Sequence, residues 1–292
     1  MTERLTIAAA DGRMLDVELS GPTDGVALIF HTGTPMAGML FAPMVDAGAE
    51  RSVRHIAYSR PGYGDSERRQ GRSVADCVSD ITTIADALGI ERFLTVGWSG
   101  GGPHALACAA LAPERTIAVA TIAGAAPRDA EGLDWLAGMS EENLEEFSAA
   151  DAGEQQLLAY LNDHGAGYAE VTGAELHAAL GELLSPVDTA VLTGDFADYM
   201  AAAARGAVKR GMWGWLDDDI AFSRDWGFAL EQITRPVTIW QGGQDRFVPF
   251  AHGQWLAAHV AGAQPQLLPE EGHLSLSVGA YGRVLDDLLA AG

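Results

Sequence analysis

Between Val26 and Ile122 short apolar runs alternate with stretches of helical period, and that alternation restricts the chain to few folds. Val26-Ala27-Leu28-Ile29-Phe30, His55-Ile56-Ala57-Tyr58, Phe93-Leu94-Thr95-Val96 and Ile117 to Ile122 are nearly continuous in apolar residues, as strands covered on both faces must be. From Ser73 the period changes. Val74, Val78, Ile81, Ala85 and Leu88 share one helical face, with Ser73 placed to cap the start and Gly89 to end it. Pro103 to Leu111 reads as a second helix. Such a succession predicts an α/β fold, a mostly parallel central sheet flanked by helices. Ahead of it, Leu5 to Ala8 and Met14 to Leu19 enclose Asp11-Gly12-Arg13 and predict an antiparallel hairpin.

The alternation stops near Pro127. From there to Glu231 the chain is rich in Ala, Asp, Glu, Leu and Trp, with Leu144, Phe147, Leu157, Leu158 and Leu161 at helical spacings and no convincing strand. Strand character returns at Pro236 to Trp240 and at Gln266-Leu267-Leu268, and Tyr281 to Leu289 closes the chain as a helix. The expected organisation is one core built from residues 1–127 and 232–292, interrupted by a helical cap at 128–231.

With 292 residues, 48% of them hydrophobic, the chain has ample material for one large packed domain. A formal net charge of −22, with Lys209 the only lysine, argues against binding to nucleic acid phosphates or an anionic membrane surface. Cys77 and Cys108 lie far apart in stretches that read as helices, so two buried thiols are expected rather than a disulfide framework or a zinc site. The segment from Met1 lacks a basic stretch leading into an apolar one, and no apolar run approaches a membrane span; a cytoplasmic location is expected. The oligomeric state, a homo-oligomer included, stays open.

Chemistry is concentrated first in Val96-Gly97-Trp98-Ser99-Gly100-Gly101-Gly102-Pro103. A lone serine between glycines, after a strand and before a helix, has the context of a nucleophile elbow: the chain reverses tightly and presents the hydroxyl. The Gly100 amide opens the helix, where unpaired donors and the dipole favour a developing oxyanion. A serine hydroxyl needs a base, and the base needs an orienting carboxylate. Both occur near the C-terminus: Asp245 in Gln241-Gly242-Gly243-Gln244-Asp245 at the end of one strand, and His273 in Glu270-Glu271-Gly272-His273 after the next. Trp98, Val248 and Leu274, beside these three, are the candidate substrate contacts.

In the order Ser99, Asp245, His273, and over nearly its whole length, the chain resembles the α/β-hydrolase superfamily. His31-Thr32-Gly33-Thr34-Pro35 follows the Val26 to Phe30 strand where that family keeps its second oxyanion donor, and Arg60-Pro61-Gly62-Tyr63-Gly64-Asp65-Ser66 matches its Arg-x-Gly-x-Gly-x-Ser turn. Thr32 intervenes between His31 and Gly33, and Met36 replaces a common glycine. The resemblance implies a cofactor-free serine hydrolase cleaving a small to medium ester or amide. Ser99 would be nucleophile, His273 base, Asp245 acid, and the amides of Thr34 and Gly100 the oxyanion hole. It is also similar to the proline-iminopeptidase branch, whose lids hold a free amino terminus with carboxylates, although there the tryptophan follows the serine. A lyase, a perhydrolase or a ligand receptor on the same fold are further alternatives.

Other residues carry plainer expectations. Asp129, near the end of the preceding strand, competes with Asp245 for the acid; His31 is expected to brace its loop and His104 to pack beside the sheet. Trp213, Trp215 and Trp226 are expected as core of the cap, Glu141 to Glu146 as a solvated helix face, and Asp217-Asp218-Asp219 as a loop or helix start rather than a metal site.

Overall fold

The computed structural model describes residues 2–292. Eight strands form one sheet: β1 (Glu3–Ala8), β2 (Met14–Ser20), β3 (Val26–His31), β4 (Val53–Tyr58), β5 (Phe93–Trp98), β6 (Thr116–Ile122), β7 (Val237–Gly242) and β8 (Gln264–Leu268), in the spatial order β1-β2-β4-β3-β5-β6-β7-β8. The predicted hairpin is β1 with β2, and β2 joins β4 antiparallel; every pairing from β4 to β8 is parallel. Strands buried along nearly their whole length, such as β5 and β7, are the continuous apolar runs seen in the sequence.

The helices that cover the sheet are α1 (Ala42–Ala49), α2 (Cys77–Ala87), α3 (Gly101–Leu111), α10 (Phe250–His259), α11 (His273–Gly279) and α12 (Tyr281–Ala290). Between β6 and β7 lie α4 (Glu141–Ala152), α5 (Glu154–His164), α6 (Gly173–Leu180), α7 (Pro186–Val191), α8 (Gly194–Ala207) and α9 (Trp213–Phe222), with no named strand among the described residues. One apolar cluster runs from Leu28, Val96 and Ile122 of the sheet through Leu274 and Leu285 into Leu180, Phe196 and Met200 of this helical segment. On the sheet's other face Ala105, Leu106, Val119, Ile239 and Leu256 pack together with Phe222, Trp226 and Leu230.

The helix expected from Ser73 begins at Cys77 instead. Ser73 spends its amide and hydroxyl on the Asp76 carboxylate at 2.7 and 3.0 Å, and Ala75 donates to Trp226 O at 2.8 Å, so the chain makes a turn before it coils. Gly89, with φ 68°, does end it. Cys77 and Cys108 are buried and free.

Candidate active site

Order reverses between β3 and β5: the chain leaves β3 for β4 on one side and returns to β5 on the other. Loops at the carboxyl ends of strands flanking such a point enclose a crevice. Register pairs His31 with Gly97, which sets the loop after β3 beside the turn after β5.

That turn carries Ser99 at φ 54°, a left-handed conformation for a residue with a side chain. It is pinned by Ser99 N–H to Ile122 O at 2.8 Å and Gly102 N–H to Ser99 O at 2.8 Å. The glycines are needed for approach: a Cβ at Gly97 would collide with the Gly101 carbonyl, and one at Gly101 with the His31 carbonyl. Among the described residues, the amides of Gly100 and Thr34 donate to no protein acceptor.

Asp245 follows β7 and is buried. Its Oδ1 accepts from the Phe247 and Val248 amides at 2.9 and 2.8 Å, and its Oδ2 from Gln241 Nε2 at 3.1 Å and from His273 Nδ1 at 2.8 Å. Burial pushes this carboxyl up from the usual range, against the opposing pull of His273 and the Val248 amide. The His273 ring stacks on Phe247 at 4.6 Å between centroids and meets Trp98 at 5.6 Å, so its rotation is restricted on two sides. Among the described residues no hydrogen bond joins His273 to Ser99; the two line one cavity.

The cavity, counting its open mouth, holds about 1090 Å³. Thr34, Ser99, Gly100 and His273 form its floor side with Trp98, Val248 and Leu274, while Glu146, Trp215, Asp219 and Met200 come from the helical segment. The residues singled out in the sequence are thus brought together, with Asp245 reaching the cavity through His273. Asp129 is exposed. His31 is buried against Cys108 Sγ at 3.8 Å, and His104 Nδ1 is 2.9 Å from Gly100 O. Burial, with Arg60 beside it, brings the His104 imidazole down to about 3.

Sequence reasoning misplaced the acids of the helical segment. Asp217, Asp218 and Asp219 lie within α9, not at a loop or helix start, and successive helical positions send each toward a different neighbour. Asp217 bonds Arg68 at 2.8 Å. Asp218, fully buried, accepts from Arg60 at 2.6 Å, Arg72 at 2.7 Å, Tyr63 Oη at 2.9 Å and Thr34 Oγ1 at 2.6 Å. Burial opposes its ionisation, yet the two guanidiniums hold the Asp218 carboxyl far below the usual range. Arg60 also donates to the carbonyls of Thr32 and Gly33 at 2.6 and 3.1 Å, so the loop bearing Thr34 is fastened to α9. Glu146 turns inward while Glu141, Glu142 and Glu145 stay exposed. It accepts from Trp215 Nε1 at 2.6 Å, and burial raises its carboxyl; burial and the nearby Glu146 raise Asp219 well above the carboxylate range. Trp213 packs against the apolar cluster of Leu161, Trp215 and Leu216 and also lies under Arg68 at 4.3 Å, whereas Trp226 packs with Ala105, Val119 and Ile239. Asp188, on α7, carries no expectation from the sequence.

Comparison with known proteins gives this geometry a family. Residues 26–280 match the profile described as alpha/beta hydrolase fold. The chain belongs to the α/β-hydrolase family. It is therefore an enzyme of hydrolase type. Along 289 residues, 98% of each chain, this α/β hydrolase is 25% identical to a non-heme chloroperoxidase of Streptomyces lividans. Over 250 residues, 85% of this chain and 88% of the relative, it is 30% identical to a pimeloyl-[acyl-carrier protein] methyl ester esterase of Xanthomonas campestris pv. campestris. Among solved structures, a bromoperoxidase from Bacillus anthracis superposes with a TM-score of 0.71 at 20% identity, covering 99% of this chain and 100% of that one. No described helix is long and apolar enough to cross a membrane.

Proposed function

We propose that this α/β hydrolase cleaves small to medium carboxylic esters through an acyl-enzyme, with residues 128–231 acting as a cap over the site. The observation that carries the reading is the 2.8 Å hydrogen bond between Asp245 and His273 Nδ1, in a cavity that Ser99 also lines. With Nδ1–H held by the carboxylate, Nε2 is left as the acceptor for a serine proton. Ser99 attacks the carbonyl carbon, its proton passes to His273, and the amides of Gly100 and Thr34 receive the charge on the carbonyl oxygen, about 3 kcal/mol each in comparable sites. His273 returns the proton to the departing alcohol. Water then repeats the sequence on the acyl-enzyme, releasing the acid and Ser99. The methyl ester esterase relative supports an ester substrate.

The reading is tested with p-nitrophenyl esters of increasing acyl length and with a fluorophosphonate followed by peptide mass analysis. Turnover highest on short to medium chains, with covalent modification at Ser99, is the expected result. Fastest turnover on long-chain lipids contradicts the size assignment, and absence of modification contradicts the nucleophile.

A second reading, removal of an N-terminal residue from a peptide, is favoured by Glu146 and Asp219 on the cavity wall, where ionised carboxylates would face a substrate ammonium. It ranks behind the esterase because burial raises both carboxyls, Asp219 well above the carboxylate range, which disfavours the ionised pair. Comparing prolyl and acetyl chromogenic substrates separates the two: turnover restricted to the free-amine prolyl compound would displace the ester reading.

A further inference from the structure

His273 opens α11, so its imidazole is placed by whatever fixes the first turn of that helix. The fixture comes from the cap. Asp188, on α7 and fully buried, accepts hydrogen bonds from the amides of His273, Leu274 and Ser275 at 3.1, 2.7 and 2.9 Å. Those are the donors that a helix start leaves without partners, and one carboxylate satisfies all three. The carboxylate is itself held by Ser185 Oγ at 2.8 Å. Gly272 supplies an independent sign of the same contact, since a Cβ there would collide with both Asp188 oxygens. Asp188 reaches the opposite end of the residue from Asp245: one carboxylate holds the His273 backbone, the other its Nδ1.

We propose that Asp188 is the positioning residue for His273, so that seating of the cap, through α7, is a condition for the Asp245–His273 pair to stand where Ser99 needs it. The proposal rests on the hydrolase reading above and adds that the cap assembles the site as well as covering it. An imidazole attached to a first turn that has lost its three acceptor bonds samples rotations that a reaction at Ser99 does not tolerate.

The test uses the full chain and p-nitrophenyl acetate. For Asp188→Ala, kcat is expected to fall about a hundredfold while KM changes by less than about threefold, the pattern of misplacement rather than lost binding. Asp188→Asn keeps a carbonyl oxygen at the same place and is expected to recover activity to within about tenfold of the native enzyme. Gly272→Ala should lower kcat in the native background and add nothing in the Asp188→Ala background, because the methyl then has room. If Asp188→Ala does not fold, Asp188→Asn and Gly272→Ala carry the comparison.

A readout independent of turnover is the low-field proton resonance of His273 Nδ1–H on Asp245, expected in the native protein and lost or weakened in Asp188→Ala. Native kcat in the variants with that resonance intact overturns the proposal. Failure of the native enzyme to hydrolyse esters or to take up a fluorophosphonate at Ser99 overturns the hydrolase reading instead, and the resonance still decides the role of Asp188.

Discussion

Ser99 holds a backbone conformation that costs a residue with a Cβ about 1–2 kcal/mol, kept because the Ile122 and Gly102 hydrogen bonds over-determine the turn. Ser99→Ala should therefore leave the fold intact and reduce ester turnover about a thousandfold or more, measured as kcat alongside an unchanged circular dichroism spectrum. Ser99→Gly should be equally inactive but about 1 kcal/mol more stable than Ser99→Ala in urea unfolding, since glycine accepts the left-handed region. Equal stability of the two would remove strain from the account. Thr34 offers a subtler residue-level test. Thr34→Val keeps the amide that would face the oxyanion but loses the hydroxyl bonds to Asp218 and Arg60, so kcat should drop about tenfold with KM little changed. A drop confined to KM would say that the loop binds substrate rather than stabilising charge.

At the level of elements, the loop after β3 and helix α9 are joined by a buried ion cluster rather than by apolar packing alone. Removing the Asp218 charge strands Arg60 and Arg72 without a counter-charge, so Asp218→Asn should destabilise the protein by about 3–5 kcal/mol, read from the urea midpoint. A loss below about 1 kcal/mol would mean that the two guanidiniums find other partners. The contrast between this cluster and the strands shows what a sequence exposes. Buried strands, the Gly12 hairpin and the Gly89 stop follow from local period and turn chemistry, and β1 to β8 lie at or within a few residues of where that chemistry puts them. The start of α2 and the places of Asp217 and Asp218 do not, because each is decided by a distant partner: Trp226 O for Ala75, Arg68 for Asp217, Arg60 and Arg72 for Asp218. Three adjacent aspartates read as a loop or helix start until the guanidiniums that face Asp217 and Asp218 from distant segments are seen.

Over the whole molecule, acid stability should reflect histidines folded in their neutral form. Burial holds His55 and His252 down to about 4 and His104 to about 3. His252 shows why protonation is resisted: Nδ1 accepts from the Ala126 amide at 3.2 Å while Nε2 lies 2.9 Å from Trp135 O, so a second ring proton would face an N–H. The unfolded chain takes up these protons near pH 6.5. Stability from this source is therefore complete above about pH 6.5 and falls as the pH drops toward 4, on the order of 1–3 kcal/mol per histidine. The raised carboxyls of Glu146 and Asp219 work in the opposite direction, because the folded state keeps their proton longer. His252→Gln should flatten the decline in urea midpoint between pH 7 and pH 4.5; an identical slope in both proteins would rule the histidine out. That Ser99, Asp245 and His273 lie close together is legible from three loops in a fixed order, since each sits at a strand end that the sheet brings to one rim. The partners of Asp188 and Asp218 are not, because they lie across the boundary between the helical segment after β6 and the rest of the chain, where spacing along the chain carries no information. That boundary has a practical consequence for protein engineering. A chimera that grafts a foreign helical module between β6 and β7 would leave Arg60 and Arg72 facing whatever residue replaces Asp218, so a productive exchange must transplant the Arg60–Arg72 loop together with the module.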